Sequence, residues 1–520
     1  MAKILKSYGF ILFLLILVLP ALFSLFHPGM FVSDDGGWMI IRLSAFYETF
    51  KSGQIPVRFI ARLNNEYGYP LTDFVYPGFL YLGVPLHLLG FGFITSAKII
   101  VGLSFFASAL GMFLWLRKAF SSVPAFFGSL FYIYAPYHLY DAYSRGSIGE
   151  LLALGLVPFI FWQIEKKNIF LTSIGIACLM LSHNIIAFIF IPPLFFYLFF
   201  TSKGKSSIYK VLVSCIPFII GLLLSMFFWF PALYDLHYTV FAKTVVSDWR
   251  LYFSWPSLIG YSFIFILVVS GSIFFQNRNK KSHFVSFVLF LITIVYLYFS
   301  VNWSSFLWEK LPAYYVQFPF RLLSIVILLL SYLFGYILFY LPKKFQIWAG
   351  VGLLLLTVIF SYPFLFPKGY RNDPEGYYST NFSTTTIKNE YMPEWVKVVP
   401  DTLPKAKVEI LQGKGKIQNI TSNGRKTSFQ AEISAPSLIQ INTLYFPGWK
   451  VFVDGKKQTV RYNNPYGVIQ FPLSEGTHTI TSLFTETIPR LISDVLSLST
   501  AIVIGTWWVY RRFFYGKKVY

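Results

Sequence analysis

Two adjacent carboxylates, Asp34 and Asp35, stand in the run Ser33-Asp34-Asp35-Gly36-Gly37, directly after the first long apolar stretch of the chain. Neighbouring carboxylates at a membrane edge offer two chemistries. They can take a proton from an incoming hydroxyl, and they can ligate a divalent cation such as Mg or Mn. A solvated Asp-Gly turn that caps the next helix is the other reading. Arginines in apolar surroundings form a second class, because a guanidinium there calls for an anionic partner. Arg321 lies in Phe318-Pro319-Phe320-Arg321-Leu322, and Arg145 stands beside Gly146. Either can grip a phosphate through two nitrogens. The alternatives are snorkelling to lipid headgroups for Arg321 and a loop pair with Asp141 or Glu150 for Arg145. His183 and Asn184, between two apolar runs, can line a cavity or hydrogen-bond across a helical hairpin. Tyr445, Phe446, Trp449 and Tyr466 read as core of a β domain before they read as sugar platforms.

These groups need elements to hold them, and the composition says of what kind. The 520 residues are 56% apolar and only 12% charged, with a mean hydropathy of +0.59. Soluble domains carry about 25% charged residues, so an ordinary soluble enzyme and a disordered tail protein are both excluded. Apolar runs occur at 8–26, 74–92, 95–116, 123–140, 148–163, 169–183, 185–200, 211–231, 257–276, 284–300, 321–341, 346–366 and 488–510. This is a polytopic membrane protein. The expected number of full spans is 12. The run 74–92, which carries Pro77, Gly78, Gly83, Pro85 and His87, is expected to be re-entrant or to cross only half-way.

Charge sets the orientation. The net charge is +21, and 18 of the 43 Lys and Arg residues gather in short clusters between apolar runs. The clusters are Lys3/Lys6, Arg117/Lys118, Lys166/Lys167, Lys203/Lys205/Lys210, Arg278/Lys280/Lys281, Lys343/Lys344 and Arg511/Arg512/Lys517/Lys518. This is the positive-inside pattern and not a nucleic-acid groove. It places the N-terminus and the basic tail 511–520 in the cytoplasm and the protein in the plasma membrane. The loop 27–73 and the polar stretch 367–487 then fall together on the extracytoplasmic side. Trp38–Lys51 within the loop has a helical pattern suited to the membrane interface.

The chain thus divides into a multi-span membrane domain 1–366, a β-rich outer domain 367–487, a last span 488–510 and the tail. In the outer domain Lys407–Ile410, Thr427–Ile433, Leu438–Tyr445, Lys450–Val453, Val468–Leu473 and Thr477–Leu483 read as short strands. Asn423-Gly424 and Asp454-Gly455 mark hairpin turns. A small all-β sandwich is predicted. Cys178 and Cys215 both lie in apolar runs, which excludes a disulfide scaffold and a Cys-based zinc site.

The order of the polar motifs carries a resemblance. A carboxylate after the first span, a helix, and a Pro-containing helix start resemble the GT-C glycosyltransferases. The run Asp35…Arg42…Gly53-Gln54…Pro56…Arg58…Gly68-Tyr69-Pro70…Tyr76-Pro77 resembles the bacterial membrane proteins labelled pyruvoyl-tetrahydropterin-synthase-related. Tyr143-Ser144-Arg145-Gly146…Gly149-Glu150, Leu181-Ser182-His183-Asn184, Gln317-Phe318-Pro319-Phe320-Arg321 and Glu390-Tyr391-Met392-Pro393 follow in order. The segment Tyr445–Gly455 resembles the outer β domain of lipoteichoic-acid-glycosylating membrane proteins. Where that pattern has a His after the loop carboxylate, this chain has Trp38 and Met39, which leaves Asp34 and Asp35 both open as the functional carboxylate; the spacing to Arg42 favours Asp35. The label's pterin chemistry is rejected, because the seven histidines are scattered without ligand spacing.

The resemblance implies an inverting transfer of a sugar from a polyprenyl-phosphate donor to an extracytoplasmic glycan, lipid or protein acceptor. Asp35 is then the base, with Asp34 its helper or a metal ligand. Arg321, Arg145, Glu150, His183, Asn184, Arg42, Arg58, Tyr69 and Tyr76 are the expected substrate-binding residues. A transporter or flippase of a lipid-linked glycan, and a non-catalytic scaffold, are the competing readings.

Overall fold

The computed structural model describes residues 2–202, 206–244, 249–276, 283–310, 316–511 and 513. The clusters Lys203/Lys205 and Arg278/Lys280/Lys281, and the tail residues Arg512, Lys517 and Lys518, lie outside them. Apolar runs in a bilayer must bond their own backbone, and a helix does so within the segment. Every apolar run identified above is helical. Among the described residues eight helices are long and apolar enough to cross a membrane, and Phe284–Ser300 with Asn302–Trp308, bent by 80°, makes a ninth if counted as one span. The shorter apolar helices are Gly78–Leu88, Ser122–Ile133, Ile169–Ser182 and Tyr261–Phe275. The expected 12 spans therefore resolve into eight or nine of full length and several short ones. The run 74–92 yields Gly78–Leu88, 11 residues with Pro85 inside. At 1.5 Å per residue that is ~16 Å, half of a hydrocarbon core of about 30 Å.

Burial ranks the helices. Pro319–Tyr340 is 94% buried over its apolar window and forms the bundle's centre, whereas Lys343–Leu365 and Ile488–Tyr510 are each 17% buried and lie at its edge. The two polar regions sit against each other at one end of the bundle. Strand β1 (Met30–Phe31) pairs antiparallel with β2 (Tyr370–Arg371). Gln54 Nε2 donates to the Gly424 carbonyl at 3.0 Å, Asn65 Nδ2 to Pro400 at 2.9 Å, and the Leu444 N–H to Tyr67 at 2.6 Å.

The helix Gly36–Lys51 departs from expectation. A helix lying in the interface would show one face to lipid, yet Met39, Ile40, Leu43, Ala45 and Phe46 are all buried. The segment 378–385 closes its outer side: Ser44 Oγ donates to the Tyr378 carbonyl at 3.0 Å, and Arg42 Nε to Thr385 Oγ1 at 3.0 Å.

The outer β-sheet contains the strands β3 (Val408–Ser422), β4 (Lys426–Leu444), β5 (Trp449–Val453), β6 (Lys456–Gln458), β7 (Val468–Leu473) and β8 (Gly476–Phe484). The expected Thr427–Ile433 and Leu438–Tyr445 prove to be halves of the single strand β4. Ala435-Pro436 resembles a break, but the ladder between β3 and β4 continues past it with register shifts around Gln412 and Lys414. The first half of β4 pairs with β8 and the second with β7. β8 continues to β5 and β6, and a bridge from Arg461 to Gln470 returns to β7. The sheet thereby wraps around Phe429, Ile439, Ile441, Val451, Phe471 and Ile480, all at most 2% exposed. Asp454 and Gly455 both have positive φ, as a tight hairpin requires.

Candidate active site

The acidic loop is fixed by backbone before any side chain acts. The Asp34 N–H donates to the Ser144 carbonyl at 3.0 Å and the Asp35 N–H to Arg145 at 2.7 Å. The Asp35 carbonyl accepts from Met39 N at 3.0 Å and starts the helix Gly36–Lys51, but the Asp35 side chain makes no cap bond. The turn reading holds for the backbone alone, and the carboxylate is left over. This approach demands glycine at 146. Its φ is +68°, and a Cβ there would strike Ser33 Oγ and the Gly36 backbone.

Behind the loop lies a buried cluster of four charges. Arg145 Nη1 stands 2.6 Å from Asp141 Oδ1 and 2.6 Å from Glu150 Oε2. Tyr137 donates to the other Glu150 oxygen at 2.5 Å. Arg321 Nε lies 3.4 Å from Glu150 Oε2, an ion pair without hydrogen-bond alignment, and Nη1 donates to Gln317 Oε1 at 2.5 Å. Both guanidiniums lie over aromatic rings, Arg321 on Phe318 at 4.8 Å and Arg145 on Phe320 at 5.2 Å. Among the described residues Arg145 hydrogen-bonds only through Nη1, as does Arg321. Each keeps a nitrogen edge without a protein acceptor. Burial, and then the neighbouring Glu150, push the Asp141 carboxyl well above its usual range, and its Oδ2 has no partner.

Asp35 faces this cluster. It lies within electrostatic reach of Arg145, Asp141 and Tyr76. Tyr76 stacks on His183 with ring centres 4.3 Å apart. Gly149 makes room, since a Cβ there would strike the Tyr76 ring. His183 Nδ1 accepts from the Ile186 N–H at 3.3 Å, so the neutral imidazole carries its proton on Nε2. Asn184 Oδ1 accepts from Ile185 N at 3.0 Å. Asp34 is also within electrostatic reach of Arg145. It lines a cavity of about 390 Å³ shared with Trp38, Arg371, Tyr377, Asn381 and Ser383. Partial burial, then Asp35, raise its carboxyl above the usual value.

The structure thus brings together Asp35, Arg145, Arg321, Glu150, Tyr76 and His183, with Asp34 and Asn184 at the margin. It leaves Arg42 at the margin and separates two others. Arg42 is bonded to Thr385, within electrostatic reach of Tyr76. Tyr69, fully buried, accepts from the Tyr391 N–H at 2.9 Å and contacts Thr386 at 3.3 Å, so it shapes the 384–391 segment. Arg58 corrects the expectation most clearly. It contacts Glu486 at 2.9 Å, Asp494 at 2.7 Å, Asp73 at 3.3 Å and the Phe227 carbonyl at 3.1 Å, which occupies all three nitrogens. Arg490 beside it reaches Asp235 at 2.8 Å, Asp73 at 3.2 Å and the Pro447 carbonyl at 2.7 Å. This second cluster ties loop 53–73 to the last span and to the β-domain. Its members Asp73, Asp235, Arg490 and Asp494 were not foreseen, although Arg490 carries the same signal as Arg321, an arginine at the start of an apolar helix.

Trp449 is 4% exposed and packs edge-on against Phe59, so it is core as expected. Among the described residues no group of three or more His, Cys, Asp or Glu is placed to hold a metal ion.

Residues 76–365 match the family described as 6-pyruvoyl-tetrahydropterin synthase related domain, membrane protein. The match covers more than half of the chain, which belongs to this family. No curated protein matches it in sequence. Among solved structures it is similar to the mycobacterial arabinofuranosyltransferase AftD, at 14% identity and a TM-score of 0.49, over 72% of this chain and 28% of that one. It is also similar to the oligosaccharyltransferase of Archaeoglobus fulgidus, at 13% identity and a TM-score of 0.42, over 75% of this chain and 60% of that one. The chain therefore spans between a quarter and two thirds of the length of these proteins.

Proposed function

We propose that the protein is a GT-C-type inverting glycosyltransferase that uses a polyprenyl-phosphate sugar. One observation carries the reading: two buried arginines with unused nitrogen edges stand beside an uncommitted carboxylate, Asp35. The donor phosphate binds across the free edges of Arg145 and Arg321. The acceptor arrives through the cavity lined by Asp34 and Trp38. Asp35 takes the proton of the acceptor hydroxyl, and the new bond forms from that oxygen to the anomeric carbon. The bond from that carbon to the phosphate oxygen breaks on the opposite side, which inverts the sugar, and the phosphate leaves with the electron pair. Fixed guanidinium charge in a dry site stabilises that developing charge. Glu150 and Gln317 orient the arginines, and His183 with Tyr76 forms the wall. A divalent cation would have only Asp34 and Asp35 as carboxylate ligands and would need further oxygens from the substrates; sensitivity to a chelator tests for it.

The site lies on the extracytoplasmic face of the plasma membrane in this reading. The contact between 27–73 and 367–487 supports it. So do Lys166/Lys167 and Lys343/Lys344, which follow the far ends of the helices Ile148–Glu165 and Leu323–Tyr340, whose starts lie at Glu150 and Arg321. Turnover of radiolabelled polyprenyl-phosphate sugars by the purified protein is the test. Transfer that disappears in Asp35→Asn supports the proposal. A folded protein that turns over no donor of a broad panel would count against it.

A further inference from the structure

At the far end of the bundle a second cleft combines charge and grease. The helix Ile148–Glu165 starts at the candidate site with Glu150 and ends at Lys166, ~24 Å away along its axis. There a cleft of about 710 Å³ opens between the helices Ile169–Ser182, Ser207–Leu224 and Ile488–Tyr510. Its rim carries Lys166, Lys167 and Arg511, with no acidic residue among its lining. Below the rim its walls are Ile216, Ile220, Val503 and Ile504. Two of the three helices are among the bundle's least buried, at 22% and 17%, so the walls face hydrocarbon and not water. Lys166 lies over Trp162 at 4.2 Å and Arg511 over Trp507 at 5.2 Å, the pairing of cation and indole found at headgroup depth. A smaller cleft of about 160 Å³ shares Lys167 and Ile169 and runs between Leu198, Val213 and Pro217.

We propose that this cleft is a binding site for an anionic diacyl phospholipid of the bilayer. The phosphate sits among Lys166, Lys167 and Arg511, and the acyl chains fill the two apolar clefts that meet at Lys167. Three cations without a carboxylate among the described residues, next to walls that open to lipid, fit a headgroup that is anionic and tethered to chains. A neutral lipid leaves the cations unpaired, and a soluble anion leaves the apolar walls bare. The proposal is independent of the catalytic reading, because it shares no residue with that site.

The test uses the full chain in nanodiscs of phosphatidylcholine containing a minority of phosphatidylglycerol. After transfer to mild detergent, native mass spectrometry counts each retained lipid. Phosphatidylglycerol is expected to be retained in preference. Lys167→Gln combined with Arg511→Gln should weaken its retention roughly thirtyfold, as expected for two surface cations near an anionic headgroup. Lys343→Gln with Lys344→Gln removes as much charge elsewhere and should change nothing. Ile220→Trp fills the cleft with its charges intact and should also lower retention, which keeps the proposal testable if the double variant folds poorly. Equal retention of both lipids overturns the proposal. So does retention that survives Ile220→Trp, or displacement by excess glycerol 3-phosphate.

Discussion

The molecule holds two buried clusters built from the same materials, and they do different work. Around Arg58 and Arg490 every guanidinium nitrogen meets a carboxylate or a carbonyl, and the partners come from the loop 27–73, the helix Met226–Asp235, the β-domain with its linker and the last span. Around Arg145 and Arg321 the bonds run through one nitrogen of each, and the remaining edges point to no protein acceptor among the described residues. A saturated cluster has nothing left for a ligand, and it acts as a clamp. An unsaturated cluster keeps part of its charge for something else, at a cost that a purely structural role does not repay. Residue type alone does not separate the two, since each pairs two arginines with buried acids. The number of unused hydrogen-bonding edges does.

Substitutions can break this contrast in order of expected size. Asp35→Asn should lower turnover by about 10²–10⁴-fold, the usual cost of losing a general base, while the melting temperature in detergent stays as in the parent. Normal rates in both Asp34→Asn and Asp35→Asn would return the loop to a plain turn. Arg490→Ala should do the reverse. It strands Asp235, leaves Asp73 to Arg58 alone and should cost about 3–5 kcal/mol of stability, seen as early unfolding by size-exclusion-detected melting. Any loss of turnover should track the unfolded fraction. A catalytic defect at full stability would move Arg490 into the site.

Arg321→Lys sharpens the comparison further. Lys keeps the charge but cannot offer two parallel donors, so donor use should fall roughly tenfold, the loss of one charge-assisted hydrogen bond. Stability should change little. A snorkelling arginine predicts that Lys substitutes without kinetic effect. The smallest effect concerns Asp34. Burial and Asp35 raise its carboxyl above the ordinary 3.8, so the folded state favours the neutral form. That contribution is complete below pH 3.8 and is lost as pH rises through the folded-state value. At pH 7 the ionised Asp34 is unfavourable, and Asp34→Asn should raise the melting temperature slightly. The difference should vanish in melts taken below pH 3.8; an unchanged difference there would assign it to something other than this proton.

Much of the architecture follows from the sequence by itself. Each apolar run is helical because backbone groups in hydrocarbon have no partner other than their own segment, and that requirement is local. Parts of the β-strands and the Asn423-Gly424 and Asp454-Gly455 turns are legible for the same reason, whereas β3 beyond Ile410 and the short β6 are not. Asp34, Asp35, Arg145 and Arg321 stand out because charge is rare in such a chain. What the tertiary structure alone decided is who meets whom. Arg58 and Arg145 look alike in sequence, yet the acids around Arg145 lie 4 and 5 residues away while Arg58 reaches Glu486 and Asp494 across 428 and 436 residues. The segment 378–385 covers the helix Gly36–Lys51 from as far off, which denies it the lipid face its pattern suggests. β4 runs through Pro436 because register shifts in its ladder with β3 absorb the disruption. Periodicity and propensity act within a few residues. Partners set by packing are chosen across the whole chain, and whether a charge is spent or spare depends on that choice.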